Sequence, residues 1–534
     1  MNFNLMYLLG YDIIISYKGN FVNKDIQTVF KYHEQTKHNF NKYAKSLGYM
    51  DWKNQPNSYR SYEDVKIIQL PLCFENITPP YHLIFNKVPS APLQIESLSQ
   101  YLQFSMGISA MKSDGYNSWA LRCDASSGNL HPTEVYVVLP PMKGISQKTT
   151  ICHYGVENHT LEILLESDTS WKGLPKESFF TLISSVIYRE VWKYGERAFR
   201  YACLDSGHAL RSLEISAKNL GWNYAINRKI DDEYLTKIFG FDKNDNFSEK
   251  ELSEMLLFVS PKEIKNNDKF LEFYSTCNKK AKPITHVYQR WDLIDEIEEA
   301  TKYKYFGNEK VTNFTEIERI PTKEAKEVIL KRRSAQMMDR NNSAISKREF
   351  LTIIQSTNEN FYTNHSYVNL SIFIHNVNEI EPGLYMYIRA KECKEKLQEL
   401  LDIDFLWDEV EKDLYLLKTG DFRQIAKQIS CSQDIASDGA FSLGMLCPFS
   451  EEIIKTSAHK YKELYFECGA IGQQLYLEAT SLSLNATGIG CFLDDVFHQL
   501  LGLKSNQFQS LYHFTVGRAV IDNRILNIKI YENR

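Results

Sequence analysis

The sequence predicts an α+β fold built from two copies of one unit. Two distant segments share one pattern of apolar and small residues, and in each copy a helix-patterned block is followed by a strand rich in β-branched residues. A charged, aromatic stretch without a counterpart lies between the copies.

The repeated segments are ACLDSGHALRSLEISAKNLGWN, from Ala202 to Asn223, and LYFECGAIGQQLYLEATSLSLN, from Leu464 to Asn485. With Gly207 set against Gly469, the same offset pairs Leu213 with Leu475, Ala217 with Ala479, Leu220 with Leu482 and Asn223 with Asn485. This spacing predicts a buried helix in each copy, with a glycine where another backbone comes close. The segments that follow, IDDEYLTKIFGF and LDDVFHQLLGL, also match. PLQIESLSQYLQFSMGI from Pro92 and AISKREFLTIIQS from Ala344 read as helices, the second opened by a capping box of Ser346 and Glu349. VYVVLPP from Val135 and SIFIHNV from Ser371 read as strands. The expected organisation is an N-terminal extension over residues 1–25, a first unit over 26–282, a linker over 283–320 and a second unit over 321–534, with the boundary near residue 300.

Composition limits the function classes. The 534 residues are 43% hydrophobic and 24% charged, which is globular usage. A net charge of -5, with 62 basic and 67 acidic residues intermixed, gives no basic face for nucleic acid. The 10 cysteines include no CxxC pair, so no zinc site, other metal site or disulfide framework is expected, and a reducing cytoplasm is the expected location. The opening MNFNLMYLLGYDIIISYKG is broken by Asn2, Asn4 and Asp12 and lacks a basic start, so it reads as neither signal nor anchor; an amphipathic surface helix is the alternative. No segment reaches the roughly 18 apolar residues of a membrane span.

Three constellations carry polar chemistry. In the first copy, Ser126, Ser127, Gly128, Asn129 and His131 precede a strand, and such a loop offers hydroxyls, an amide and backbone N–H groups to a planar ligand, or forms an ordinary polar turn. In the second copy, Arg332, Arg333 and Ser334 end a helix-like run; adjacent guanidiniums suit a phosphate, or form a solvated basic helix end. Further on come Gly488-Ile489-Gly490 and Gly517-Arg518, whose glycines could free backbone amides or mark strand-to-helix corners. His33, Lys37 and His38 read as a polar helix face, with an arm reaching the site as the alternative, and Asp205 and His208 read as structural. No GxGxxG motif follows a strand, so a Rossmann nucleotide site is not indicated.

The blocks SSGNLHPTE, WKYGERAFRYACLDSGHALRSL, KRRS, EPGLYMY, GIGCFLDD and LYHFTVGR together resemble the nitroreductase superfamily, and more narrowly its SagB-type azoline dehydrogenase branch in a tandem form. The resemblance runs from about Tyr32 to Arg518. It implies two nitroreductase-like α/β/α sandwich domains forming an intramolecular pseudo-dimer around flavin mononucleotide (FMN). It also implies that one half supplies Arg332, Arg333, Ser334, the turn Ile489-Gly490, and Gly517-Arg518, while the other supplies Ser126, Ser127, Gly128, Asn129 and His131. The copies are asymmetric in this respect: helix alignment sets Pro80, Tyr81 and His82 opposite the arginine motif, and no SSGN loop lies between Thr352 and Leu370. One composite flavin site and one derelict site are therefore expected. The position after the motif, usually basic near the flavin, is here the neutral Gln336.

Flavin chemistry implies hydride transfer at N5, and the family's Lys-Tyr pair matches Lys193 and Tyr194. Lys193 reads equally as a base of lowered pKa and as a residue on a solvated face, with Tyr194 in the core. The expected activity is that of an FMN-dependent oxidoreductase acting on a heterocycle-bearing peptide or another small molecule with an oxidisable C–N bond. The alternatives are an NAD(P)H-dependent nitro or quinone reductase, and a flavin-holding interaction subunit beside a cyclodehydratase partner. One chain supplies both halves of the family's dimer, so a monomer suffices and a homodimer is the alternative.

Overall fold

The computed structural model describes residues 16–17, 20–21, 23–171, 174–243, 245–264, 272–273, 275–304, 319–359, 361, 365–526, 528 and 530–531. The opening stretch 1–15 and the middle of the expected linker, 305–318, lie outside them.

In the first copy, helix α1 (Lys24–Gln35) is capped by Asn23, whose side chain accepts the Asp25 N–H. It is followed by α2 (Ile95–Met106), α3 (Tyr188–Tyr194), the long α4 (Ala198–Asn219) and α5 (Asp232–Phe239). The strands are β1 (Lys66–Gln69), β2 (Ile108–Ser113), β3 (Ser118–Arg122), β4 (Thr133–Leu139), β5 (Thr149–Gly155), β6 (Thr160–Ser167), β7 (Phe179–Ser185), β8 (Asn223–Ile226) and β9 (Leu252–Ser260). Seven of them form an antiparallel sheet in the order β8-β9-β7-β4-β5-β6-β1.

Helix α6 (Asp292–Ala300) falls within the expected linker and packs as an amphipathic helix, burying Leu293, Ile294 and Ile297. The second copy carries α7 (Ala325–Lys331), α8 (Lys347–Gln355), α9 (Lys394–Leu400), α10 (Arg423–Ile429), α11 (Ile435–Asp438), α12 (Ser450–Lys455), the long α13 (Lys460–Ser481) and α14 (Asp494–Leu500). The capping box of Ser346 and Glu349 opens α8 as expected. Its strands are β10 (Asn369–Ile374), β11 (Gly383–Tyr387), β12 (Asp408–Glu411), β13 (Leu414–Thr419), β14 (Phe441–Pro448), β15 (Asn485–Ile489), β16 (Phe508–Gly517) and β17 (Ile525–Leu526). The second seven-stranded sheet runs β12-β13-β11-β10-β14-β16-β15. Read from β15 inward, its first six strands follow the chain order of the first sheet; the seventh differs, since β1 precedes the other strands of its sheet whereas β12 lies between β11 and β13.

The two copies meet where α4 crosses α13. A methyl group on Gly207 would fall on the Phe466 carbonyl, and one on Gly469 on the Leu204 carbonyl, so the glycines let the backbones touch. The apolar residues of the repeat, Leu213 and Ala217 on one helix and Leu475 and Ala479 on the other, are buried around this crossing. Burying a leucine side chain contributes about 1.5–3 kcal/mol. The second copy's tail also crosses over: β17 pairs with β2, and the Tyr531 hydroxyl takes the Ile108 N–H at 2.9 Å and donates to the Val156 carbonyl at 2.8 Å.

Two expectations are corrected. His33, Lys37 and His38 do not form a solvated polar face; all three are buried, because α1 wedges against the second copy, where the His33 ring meets Gln509 at 3.0 Å and Lys37 pairs with Glu34 and Asp495. The cysteines, read as giving no disulfide framework, include one bridge between Cys431 and Cys491, brought together by the fold across 60 residues of sequence; the eight others are free and buried.

Candidate functional site

The loop after β3 is held from below by α4. The Ser126 hydroxyl donates to Asp205 at 2.6 Å, and the Ser127 N–H and hydroxyl donate to the same carboxylate at 3.0 and 2.9 Å. The Asn129 amide donates to the Ala120 carbonyl at 3.0 Å, and the His131 N–H to the Ser126 hydroxyl at 2.8 Å. The side chains expected to face a ligand thus brace the loop instead. Gly128, Asn129 and His131 all have φ between 50° and 61°, a tight left-handed path that leaves Gly128 exposed at the tip. Burial pushes the Asp205 carboxyl up to about 7, only partly offset by the bonds from Ser126 and Ser127. Burial, then the Arg122 charge, lower His131 to about 4.

Above that tip stand the two residues of the Lys-Tyr pair. A methyl group on Gly128 would lie 2.7 Å from the Tyr194 hydroxyl and 3.0 Å from the Lys193 ammonium. Both groups face the loop because α3 ends at Tyr194; Gly195, at φ +55°, turns the chain against the Lys45 carbonyl. Lys193 lies over the Tyr194 ring, 5.2 Å from its centroid, and neither polar tip hydrogen-bonds within the described residues. The solvated-face reading of Lys193 therefore gives way to one in which it lines the loop. One turn earlier, Glu190 is fully buried with both carboxyl oxygens unpartnered, and burial, then Asp205, push its carboxyl far up.

The second copy approaches from the other side. After α7, residues 332–339 run along the edge of β15 and β16: Ser334 bridges Ala486, the Ala335 N–H donates to the Ala486 carbonyl, and Met338 bridges Ala519. Arg332 is 4% exposed, which excludes a solvated helix end, and it donates to the carbonyls of Cys123 and Arg122 at 2.8 and 3.0 Å. Arg333 donates to the Ser109 hydroxyl and carbonyl at 3.1 and 3.0 Å. Neither arginine pairs with a carboxylate among the described residues, and Arg332 Nη1 is buried without a partner. Burial, then the neighbouring Arg332 charge, lower Arg333 to about 10.

Gly488-Ile489-Gly490 is a strand-to-helix corner. The Gly488 amide is not free, since it donates to the Tyr476 hydroxyl at 2.9 Å, and that hydroxyl lies 2.8 Å from Ser334 Oγ. A side chain on Gly488 would collide with the Tyr512 hydroxyl, and one on Gly490 with the Tyr201 ring. Tyr201 and Arg197 of the first copy donate to the Gly490 carbonyl at 3.1 and 3.3 Å. Gly517 is packed against Gly439, and the Arg518 carbonyl takes the Asp339 N–H. Gln336 is exposed, on the segment between the two bridges.

Several side chains that join the halves, Gln473, Tyr476 and Tyr512 among them, were not singled out in the sequence, whereas His208, read there as structural, is one of the joining groups. Gln473 accepts the Ala125 N–H and donates to the Cys123 carbonyl and Ser212, while His208 links Gln473 to the Tyr512 hydroxyl. The repeat held a signal for two of them: Gln473 and Tyr476 lie four and seven residues after Gly469, where the first copy has Arg211 and Glu214.

At that mirrored position the molecule is filled. Arg211 pairs with Glu214 and Glu359, Arg319 with Glu359 and Glu478, and the rings of Phe85 and Phe361 cover the Arg211 guanidinium. The segment beside β8 is Val88–Ala91, where the Ser90 hydroxyl donates to the Pro261 carbonyl as the Asp339 N–H does to Arg518. No arginine lies from Pro80, which helix alignment sets opposite the arginine motif, through Ala91. No group of His, Cys, Asp and Glu among the described residues could hold a metal ion, and no described helix is long and apolar enough to cross a membrane.

Residues 418–518, from the end of β13 through α13, the glycine turn and Arg518, match the model of the Nitroreductase family. No curated protein matches the chain. Among solved structures, a nitroreductase-type protein of Anabaena variabilis aligns with a TM-score of 0.70 at 21% identity, over 92% of this chain and 99% of its own. One from Ralstonia eutropha aligns at 0.27 and 14% identity, over 40% of this chain and 95% of its own. A chain of the microcin synthetase complex of Escherichia coli aligns at 0.27 and 15%, over 45% and 94%. Residues 418–518 thus match the Nitroreductase family model, within a fold that is similar to that of the Anabaena variabilis protein and holds two seven-stranded sheets.

Proposed function

We propose that the chain is an FMN-dependent oxidoreductase of SagB type, with one flavin site assembled from the loop of the first copy and the arginines and glycine turn of the second. The supporting observation is the pair Arg332 and Arg333: adjacent cations drawn into the interior, without a carboxylate partner, one of them with an unpartnered buried N–H. Such a pair carries a desolvation penalty that a bound phosphate would offset. The cradle formed by Gly128, Gly488 and Gly490, where side chains would collide with tyrosines, suits a flat ring.

Bound there, FMN would supply a ring that accepts or gives a hydride. Arg332, Arg333 and Arg518 would hold its phosphate, and Gln473 and Tyr476 keep the two halves of the cradle in register. Lys193, at the loop tip, would take the proton from the carbon beside the substrate heteroatom, and the Tyr194 hydroxyl would orient that heteroatom. The open hydrogen-bonding capacity of Lys193 and Tyr194 favours catalysis over a purely flavin-holding subunit, and a heterocycle-bearing peptide or small cyclic amine over a nitro compound, which needs no base.

The test is flavin content after purification, by absorbance and mass, with an Arg332→Ala, Arg333→Ala variant alongside. One FMN per chain, lost in the variant, is expected. Two per chain, or flavin retained in the variant, would overturn the composite site.

A further inference from the structure

We propose that Cys431 and Cys491 form a reversible thiol–disulfide site, opened by dithiol reductants, that clamps the glycine turn. The consequence for flavin retention rests on the function proposed above; the clamp itself does not.

Position makes this pair unlike the other cysteines. The eight free cysteines are buried, whereas Cys431 and Cys491 are partly exposed, beside the exposed residues Ser432 and Gln433. Solution reagents therefore reach this pair first. Their Cα atoms lie 6.0 Å apart, within the ordinary disulfide range. Cys431 and Ser432 both adopt left-handed φ, 53° and 61°, at the end of α10, and this turn points the chain back at Cys491. The turn is also held without the sulfurs: the Leu493 N–H donates to the Ile429 carbonyl at 2.7 Å and the Gln433 amide to the Cys491 carbonyl at 3.3 Å. The two thiols would remain neighbours after reduction, so the bond can reform.

What the bond restrains is the corner of the site. Cys491 follows Gly490, whose carbonyl is gripped by Tyr201 and Arg197, and precedes Asp494, which binds Arg197 and Arg200. Oxidised, the corner is tied covalently to α10 on one side and by hydrogen bonds to the first copy on the other. Reduction exchanges the bond in a balanced step: a dithiol gives two electrons and two protons, its sulfurs become a disulfide, and Cys431 and Cys491 become thiols. The corner then keeps only its hydrogen bonds.

The experiment uses the full chain, air-oxidised or treated with dithiothreitol, alkylated with iodoacetamide under native conditions and mapped by peptide mass. No alkylation before reduction and alkylation of Cys431 and Cys491 alone after it are expected. Both thiols reactive in the oxidised protein, or neither after reduction, would overturn the proposal. Amide exchange of residues 486–493, read without flavin, is expected to quicken about tenfold or more on reduction and in Cys431→Ser. Equal exchange in oxidised and reduced wild type would also overturn it, and that comparison stands even where the variant fails to fold. In a flavin-loaded sample, release of FMN should quicken in parallel; a sample that binds no FMN defeats the functional reading while leaving the exchange result as the test of the clamp.

Discussion

Asp205 and Glu467 occupy equivalent turns of the two long helices, each two residues before the glycine at the crossing, and each carboxylate holds the loop of its own copy. Asp205 takes the Ser127 N–H and both serine hydroxyls, whereas Glu467 takes the N–H groups of Tyr367 and Val368 and pairs with Arg389. A carboxylate brace from the long helix thus survives in both copies. In the first it presents Gly128 to Lys193 and Tyr194. In the second, Glu359 and Phe361, ahead of Tyr367 in the chain, meet Arg211.

Asp205 also makes the loop sensitive to pH. Its folded-state pKa, about 7, lies above the ordinary carboxylate value, so the folded protein binds the extra proton more tightly. Its contribution is therefore fully present below the unfolded pKa and is lost as pH rises through about 7. Urea unfolding of wild type and Asp205→Asn at pH 5 and pH 8 should show a fall in wild-type stability between the two that is smaller in the variant. An unchanged pH dependence would show that Asp205 does not titrate in this range.

The glycine crossing sets the spacing of the whole molecule. Gly469→Val would place branched carbons on the Leu204 carbonyl, which is backbone and cannot rotate away. Overpacking of this kind costs about 1–3 kcal/mol or more, and here it separates both halves at once. A lower urea midpoint and loss of bound flavin are expected together, whereas a control at an exposed side chain such as Ile403→Ala should keep its flavin.

Much of this was legible in the sequence because repetition is legible: the offset that aligns Gly207 with Gly469 also locates the helices, and the β-branched runs mark the central strands. The loop, the arginines and the glycine turn stood out as motifs, and the structure brings them to one seam. What the motifs did not carry was direction. The hydroxyls of Ser126 and Ser127 and the amide of Asn129 point down into Asp205 and Ala120, since a tight left-handed loop needs bracing before it can present anything. Gly488 similarly gives its amide to Tyr476. Contacts between residues far apart, such as Gln473 with Cys123 or His33 with Gln509, leave no local pattern.

The side-chain tips of Lys193 and Tyr194 stand beside Gly128 and make no hydrogen bond among the described residues, so truncating them should disturb chemistry more than structure. Lys193→Met and Tyr194→Phe should retain FMN and unfold at wild-type urea concentrations, while kcat for dehydrogenation falls by about 10²–10⁴ for the lysine, the range of a lost general base. Loss of flavin in either variant would instead make the pair part of the cofactor cradle.

The mirrored position offers the complementary case, in which charge is structural. Glu359 is shared by Arg211 and Arg319; burial would raise its carboxyl, but Arg211, Lys218 and Arg319 hold it at about 2. A folded pKa below the unfolded one gives stability that is present above about 4.5 and lost as pH falls toward 2. Glu359→Gln leaves two buried guanidiniums without their shared partner, and breaking such a pair costs about 3–5 kcal/mol. The variant should therefore unfold at clearly lower urea at pH 7, with a smaller difference from wild type at pH 3, yet keep its flavin content per folded chain. If it instead gained a second FMN, the freed arginines would have recovered an anion site, and the network would be a plug in a position still able to bind; if flavin were lost with no change in stability, the two positions would be coupled in a way that the ion network does not explain.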